Sequence, residues 1–443
     1  MPYAHTVIIL AVAALVYRLL QVGKRDPRMP KGPPTLPIIG NAHQIPATGL
    51  YKQFREWAKQ YGPVFSLTVG PSNIIVLCNR RAIHKLLLDE KHFRVQEAEA
   101  TVLMTNLLNH PGSFYQDIRR YTASVVTSIT YGFRAATFDS FWGHWTAVME
   151  PGASPPVEVF IILKYAPAWM ALWKRRAINA GVTMDQTWSE ARRRAEGRRA
   201  RGDRRPCIID ALLDEYEKKG MPTAVSQHAF TNLLGEMVEG GADTTAAQLL
   251  TLILAFALHP HVQEKARREI DAVCGTERSP LRSDFPRLPY INCIVKEGMR
   301  WRPVYVCYFP DDEYDGMLIP KDSTIFIPTW AIHHMDTIYE DPDTFDPDRY
   351  LQHDKLANDY AGSPDWAKRD KSSLSKLLWA FEFAEPVDLA TGKVVHLDPE
   401  AYNPGILQAP LPFNVQIKIR SDAHAETIKR EHHEALGFLK QYE

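Results

Sequence analysis

The sequence predicts a mainly α fold of the α+β type, with one long central helix, further helices around it and small β-sheets. Two observations carry this. Apolar residues recur at three- and four-residue spacing in "PGSFYQDIRRYTASVVTSITYG" and from Thr223 to Leu258, which gathers them on helix faces. Runs with strand character are short and scattered, so no large sheet can be assembled from them.

The chain opens on "TVIILAVAALVY", Thr6 to Tyr17, continued by "RLLQV" after Arg18. With Arg18 snorkelling, the run approaches the roughly 20 residues that a bilayer requires. Lys24, Arg25 and Arg28 follow it, whereas only His5 precedes it. A cleaved signal peptide would carry its basic residues before the apolar run. Residues 1–22 therefore read as a single-pass membrane anchor helix with the body on the cytosolic side. Residues 23–48 read as a Pro-rich hinge. Its core, "RDPRMPKGPPTLPIIGN", has five prolines and is expected as a stiff extended connector.

The domain proper is expected over 49–420. "PVFSLTVGPSNIIVLC" gives two β-branched runs around Gly-Pro-Ser-Asn, a hairpin signal. The segment from a cap at Thr223 to Leu258, just before Pro260, would make a helix of about 36 residues, long enough to cross the whole domain. "HPHVQEKARREIDAVCG" and "LPYINCIVKEGMRW" give shorter helices. Strands are expected in "MLIPKDSTIFIPT" and in "LPFNVQIKIR", where Phe413, Val415, Ile417 and Ile419 alternate with polar residues. Residues 421–443 read as a polar helical tail.

Lys+Arg and Asp+Glu both number 52, a balance that argues against a general nucleic-acid binder. The one basic stretch, "ARRRAEGRRARGDRRP" at 191–206, is expected as a solvated helix end and loop. Five cysteines, Cys78, Cys207, Cys274, Cys293 and Cys307, form no CxxC pair. They read as reduced cytosolic thiols and supply no metal site.

Three constellations stand out. "GEMVEGGADTTAAQ", 235 to 248, puts two glycines, an acid and two threonines inside the long helix, although each glycine costs a helix interior about 1 kcal/mol. Gly240 and Gly241 leave a gap that would admit either a flat ligand or a crossing helix. Asp243 and Thr244 sit at that gap; the threonine can bond back to a carbonyl or turn outward, with Asp243 as a proton source. In "KEGMRWRP", Glu297 and Arg300 share a helix face. In "EDPDTFDPDRY", Arg349 could reach a carboxylate bidentately.

In this order the three resemble the cytochrome P450 family, and the chain looks like a fungal microsomal member. The anchor with "PPTLPIIGN", the GGADTT helix, the Glu297/Arg300 pair, Arg349 in "FDPDRY", the "WAIHH" stretch and the closing "LPFNVQIKIRS" all match its pattern. The resemblance implies a haem b monooxygenase at the endoplasmic reticulum. Its electrons would come from NADPH through the NADPH-cytochrome P450 reductase, and it would oxidise an apolar small molecule, plausibly in secondary metabolism. It implies that Thr244 and Asp243 serve oxygen activation, that Gly240 and Gly241 face haem, and that Glu297, Arg300 and Arg349 form a structural triad.

Three family blocks are missing, each between well-matched flanks. Between "HFRVQ" and "EAEATVLMTNLL" there is no helix with the Trp-xxx-Arg that holds a haem propionate. After "RWRP" there is no Pro-His stretch. Between "FDPDRY" and "KLLWAFEF" there is no glycine-rich loop with the cysteine that ligates iron, and no cysteine follows Cys307. The axial thiolate that drives O–O cleavage is thus absent, so no metal ligand is assigned. Two readings follow: a haem-thiolate monooxygenase whose sequence is shortened, or a P450-derived protein without haem chemistry.

Overall fold

The computed structural model describes residues 25, 29–44, 50–62, 64–69, 72–77, 90–143, 165–219, 226–303, 307–309, 313–314, 317–318, 325–327, 329–352, 371–403 and 408–443. The anchor over 1–22, the Thr223 cap and Cys78 lie outside the described residues. The chain divides into two compact units, residues 1–90 and 91–443. The second begins inside the segment expected as one domain.

In the first unit, helix α1 (Leu50–Tyr61) precedes a hairpin of β1 (Val64–Val69) and β2 (Ser72–Leu77). The strands are antiparallel, with Val64 opposite Leu77 and Val69 opposite Ser72. Trp57 meets Phe65 edge-on at 6.1 Å, and with Leu67 they form a small core. The Pro-rich segment departs from the extended spacer the prolines suggest. Residues 29–44 fold along β1: the Ser66 amide donates to the Lys31 carbonyl at 3.1 Å, and the Thr68 amide to Asn41 Oδ1 at 2.8 Å. Proline lacks a donor but keeps its carbonyl, and Arg25 collects such acceptors. Its guanidinium donates to the carbonyls of Gly32 (2.8 Å), Pro33 (2.7 Å) and Ser66 (2.9 Å). Gly32 lies so close to β1 that a Cβ there would stand 2.0 Å from the Ser66 carbonyl oxygen.

The second unit is mostly helical. Its helices are α2 (Glu90–Asn109), α3 (Phe114–Tyr131), α4 (Leu172–Ala200), α5 (Ile208–Lys219), α6 (Gln227–Leu258), α7 (Pro260–Cys274), α8 (Pro289–Trp301), α9 (Thr329–His333), α10 (Arg349–Gln352), α11 (Lys371–Ala380) and α12 (Asp422–Leu439). Three antiparallel strand pairs accompany them. These are β3 (Cys307–Phe309) with β6 (Ile325–Ile327), β4 (Glu313–Tyr314) with β5 (Met317–Leu318), and β7 (Phe381–Ala384) with β8 (Gln416–Ile419). The alternating residues of the last expected strand, from Phe413 to Ile419, pack against the main core.

Helix α6 is the axis of this unit. It starts one turn later than the sequence suggested, where Ser226 Oγ accepts from the Ala229 amide at 3.0 Å, a standard N-cap. It ends at Leu258, and Pro260 opens α7, where a missing amide costs nothing. From Ala246 to Ala257 every residue is buried, because α3, α7, α8 and α11 enclose it in one hydrophobic cluster. A helix apolar all round is what full enclosure requires. Among the described residues it is the one helix long and apolar enough to span a membrane, and it is mostly buried in the protein.

The basic stretch is only partly the solvated helix end expected of it: Arg193, Arg194, Arg201 and Arg204 are exposed, but Arg198 and Arg199 are buried. Arg198 is 1% exposed and grips Asp210 with two bonds, of 2.9 and 2.7 Å. Arg199 reaches Asp214 at 2.7 Å and Glu217 at 2.9 Å. Helix α5 presents those three acids on one face, at spacings of four and three, so the arginines become the internal clamp between α4 and α5. Residues 421–443 form α12 and a short 3-10 turn. The Ser421 side chain caps the helix, and Ile428, Leu439 and Tyr442 are buried. Glu431 accepts from the Ser279 amide at 2.8 Å.

A second buried network joins α2 to α3. Glu99, fully buried, accepts from Arg120 Nη1 (2.8 Å), Arg134 Nε (2.9 Å) and Ser124 Oγ (2.8 Å). Burial alone would push its carboxyl up, but Arg120 and Arg134 hold it below the usual carboxylate range. A lowered pKa gives stability that is present above the unfolded-state value and lost as pH falls through the folded one. Glu99→Gln is therefore expected to cost about 3–5 kcal/mol in urea unfolding at neutral pH. The deficit should shrink as the wild type is acidified.

Candidate functional site

The two glycines of the α6 cluster do different things. A Cβ on Gly241 would stand 2.5 Å from Val126 Cγ2, so this glycine admits the side chain of α3. Gly240 has nothing within 4 Å of where a Cβ would be and faces open space. Gly235, one turn and a half earlier, lets the Trp188 ring of α4 lie against the helix, with Cδ2 2.2 Å from an added Cβ. On α8, Gly298 does the same toward Gln248 and Leu252 of α6. Three of the four glycines thus serve helix crossings, and only Gly240 marks an unfilled gap.

Thr244 resolves between its two options. Its hydroxyl donates to the Gly240 carbonyl at 2.9 Å, a bond along the helix that leaves the side chain turned back on its own backbone. Asp243 acts through its charge on Glu239, one turn earlier. Burial, then Glu236, then Asp243 push the Glu239 carboxyl up to about 7. Glu239 lies outside the site expected from the sequence, although like charges four apart on a helix repel and give a signal for it.

The second centre lies where α8 meets the loop before α10. Glu297, completely buried, accepts from Arg300 Nε at 2.7 Å and Arg300 Nη2 at 2.8 Å. Arg349 Nε adds a bond of 3.2 Å, and the Asp346 amide one of 2.8 Å. Arg300 Nη1 ties the carbonyls of His333 (2.9 Å) and Pro342 (2.7 Å), and Nη2 that of Thr344 (3.1 Å). Burial pushes the Glu297 carboxyl up, but four donors on two oxygens leave no room for a carboxyl proton, and we read the pair as ionised. Arg300 accordingly sits above its ordinary value, its bonds to Glu297 outweighing burial. The structure brings Glu297, Arg300 and Arg349 together. Their bonds tie residues 333–349 to α8.

The residues present do not fit a haem-thiolate. Cys207, Cys274 and Cys293 are buried, and burial pushes their thiols up, to about 12, 11 and 11. An axial ligand must be a thiolate. Cys207 lies beside Arg198, Cys274 ends α7 and Cys293 is inside α8, all committed to packing. Cys307 opens β3, paired with Ile327, and Cys78 is outside the described residues. The segment 353–370, also outside them, contains no cysteine. Trp188 and Arg192 have the Trp-xxx-Arg spacing but other duties. Trp188 lies on Gly235, and Arg192 bonds Glu196, Thr231 and the Gln227 carbonyl. Where the sequence led us to expect the first missing block, Gln96 and Glu97 are successive residues inside α2.

Two outcomes follow. Arg300→Ala leaves Glu297 buried without its main partner and releases three carbonyls, so a loss of about 3–5 kcal/mol is expected by chemical denaturation. Arg349→Ala, which spares the bidentate pair, should cost clearly less. Glu239 has a raised pKa, so its ionisation opposes folding: the wild type should lose stability as pH rises through about 7. Glu239→Gln should be more heat-stable than wild type at pH 8 and no more stable at pH 5, as thermal unfolding at the two pH values would show.

Comparison with known proteins agrees with this architecture. The family model described as Cytochrome P450 matches residues 30–110 and 103–364. The chain is similar to Cytochrome P450 monooxygenase macC of Penicillium terrestre, 34% identical over 497 aligned positions, 91% of this chain and 92% of the relative. It is similar to Cytochrome P450 monooxygenase yanC of Aspergillus niger, 35% over 509 positions, 94% of each. It is also similar to Cytochrome P450 monooxygenase patI of Aspergillus clavatus, 34% over 510 positions, 96% of this chain and 95% of the relative. Every one of these alignments is longer than the 443 residues of the chain. The relatives therefore carry internal residues that have no counterpart here. With its long glycine-bearing helix, its buried Glu-Arg-Arg centre and these matches, the chain belongs to the cytochrome P450 family.

Proposed function

We propose that this chain is a shortened form of a membrane-anchored fungal monooxygenase that oxidises an apolar small molecule, and that the 443-residue form has lost haem-thiolate chemistry. The observation that carries the second half lies in the cysteines: none follows Cys307, and Cys207, Cys274 and Cys293 are buried, protonated thiols. The first half is supported by the family membership and by relatives named as monooxygenases. In the complete enzymes of this family, thiolate-bound haem supplies oxygen activation, with NADPH-derived electrons passed on by a reductase.

The chain's own residues fit a retained scaffold. Glu297, Arg300 and Arg349 hold the fold whether or not haem binds. Thr244 is engaged with Gly240, and no oxygen-activating step is assigned to it or to Asp243 in this form. Residues 1–22 would anchor the protein in the endoplasmic reticulum, which accounts for an apolar run followed by basic residues.

The test uses the chain as it stands. Expressed with added haem, reduced and exposed to carbon monoxide, it should give no red-shifted Soret band of the thiolate type. Such a band, lost again in Cys307→Ser, would overturn the proposal. Sequencing transcripts across the three junctions, after Gln96, Pro303 and Tyr350, should reveal a longer in-frame message, and its product should give the band.

A further inference from the structure

Helix α12 adds Ile428 to the main core and is otherwise fastened from outside it. Ala435, Leu439 and the following Tyr442 pack on the apolar stripe of α2. Glu431 accepts from Ser279 Oγ at 2.5 Å and stands 3.7 Å from the Nζ of Lys376, a lysine of α11 that is 2% exposed. Thr427 Oγ1 donates to the Thr276 carbonyl at 2.8 Å. A helix attached mainly by such outer contacts can open on its own while the core stays folded.

Two histidines sit within this attachment. His424 is buried, with its ring edge-on to Trp379 of α11 and the centroids 4.7 Å apart. Its Nδ1 meets the capping Ser421 Oγ at 2.8 Å, and its Nε2 is buried with no partner. Farther along α12, His432 Nδ1 is also buried with no partner. A neutral imidazole needs an acceptor for one nitrogen, whereas an imidazolium donates from both. Whichever nitrogen carries the hydrogen of the neutral ring, the charged form of His424 leaves Nε2–H without an acceptor, and that of His432 leaves Nδ1–H without one. A buried donor with nothing to meet costs the full loss of its hydration, and undocking the helix returns it to water.

The charges around the rings act in the same direction. His424 faces Arg420 and Asp271 of α7, but that carboxylate is already held by Arg420 in two bonds, of 2.9 and 2.6 Å. His432 faces Arg134 and His433, and Arg134 is shared between Glu99 and Glu443. Burial, then Arg420, hold the His424 imidazole below its ordinary value of 6.5, against an opposite pull from Asp271. Burial, then Arg134 and His433, do the same to His432. A histidine held down in the docked state takes up a proton more readily once released. Docking is therefore fully stable above the ordinary value and is weakened as pH falls below it. We propose that α12 is an acid-released strap: proton uptake by His424 and His432 undocks it from α2 and α11, uncovering Lys376 and the apolar stripe of α2, while the helices around α6 stay in place.

The test is amide hydrogen exchange of the full chain in detergent micelles, followed by mass spectrometry at pH 7.5 and pH 5.0. Labelling times are scaled so that intrinsic exchange is the same at both. Peptides within 422–439 should lose about tenfold or more of their protection at pH 5.0, whereas those within 246–257 of α6 keep theirs. His424→Phe with His432→Phe, which keeps a ring against Trp379 but takes up no proton, should remove most of that loss. If the double variant is unfolded at pH 7.5, His424→Gln with His432→Gln takes its place and should do the same. Unchanged protection of 422–439 at pH 5.0 would overturn the proposal. So would a loss shared equally by 246–257, which would mean that acid unfolds the whole unit. An equal loss in wild type and in the histidine variants would assign the release to Glu431 or Asp271, and would overturn it as well.

Discussion

The close crossing of α6 by its neighbours is the constraint on which the second unit depends. A helix buried on all sides can be approached by several others only where side chains are removed. This chain removes them at Gly241 for α3 and at Gly235 for α4, and on the partner helix at Gly298 for α8. An added Cβ at each would stand 2.2 to 2.7 Å from a neighbouring heavy atom, well inside van der Waals contact. The helical cost of the glycines is offset by the packing they permit. Once α6 is fixed, α8 is fixed with it, and the Glu297 carboxylate then sets residues 333–349 in place.

Much of this was legible in the sequence, and for local reasons. The hairpin, α6 and the alternation in the last strand follow from period and turn chemistry. The meeting of Glu297, Arg300 and Arg349 rests on a family resemblance, since no spacing rule links positions 300 and 349. What escaped were partnerships made at a distance. Arg198 and Arg199 looked solvated because their acids, Asp210, Asp214 and Glu217, belong to another helix. The Pro-rich segment looked extended because its prolines hide donors, while the donors that matter, Arg25 and Asn41, lie at its two ends. Gly241 read equally as a ligand gap or a helix crossing, and only the position of Val126 decides between them. The segment 421–443 looked polar because just one narrow face of α12 is apolar.

Where the family resemblance implies a missing block, between Gln96 and Glu97, α2 is continuous. Val95 lies before the junction and Ala98 and Val102 after it, and all three pack against Ala435, Leu439 and Tyr442. Spacings of three and four keep them on one helix face. The flanks are in phase, and the apolar stripe runs on across this position. Glu99, three residues beyond Gln96, completes its ion network with residues of α3 and its C-terminal loop.

That separation explains why a folded chain and an absent ligand are compatible. The main core draws on α2, α3, α6, α7, α8 and α11, and its charged centres draw on residues that all remain. Leu374, Leu377 and Leu378 of α11 are fully or almost fully buried, so this helix keeps its place even though the cysteine loop expected before it is missing. The blocks that the family resemblance leads one to expect are a thiolate loop, a propionate-binding helix and a Pro-His segment. Burial of apolar surface around α6 is what stabilises the unit, and it does not pass through any of them. The chain thus keeps the packing around its long helix and its buried Glu-Arg-Arg centre, and it has no cysteine after Cys307.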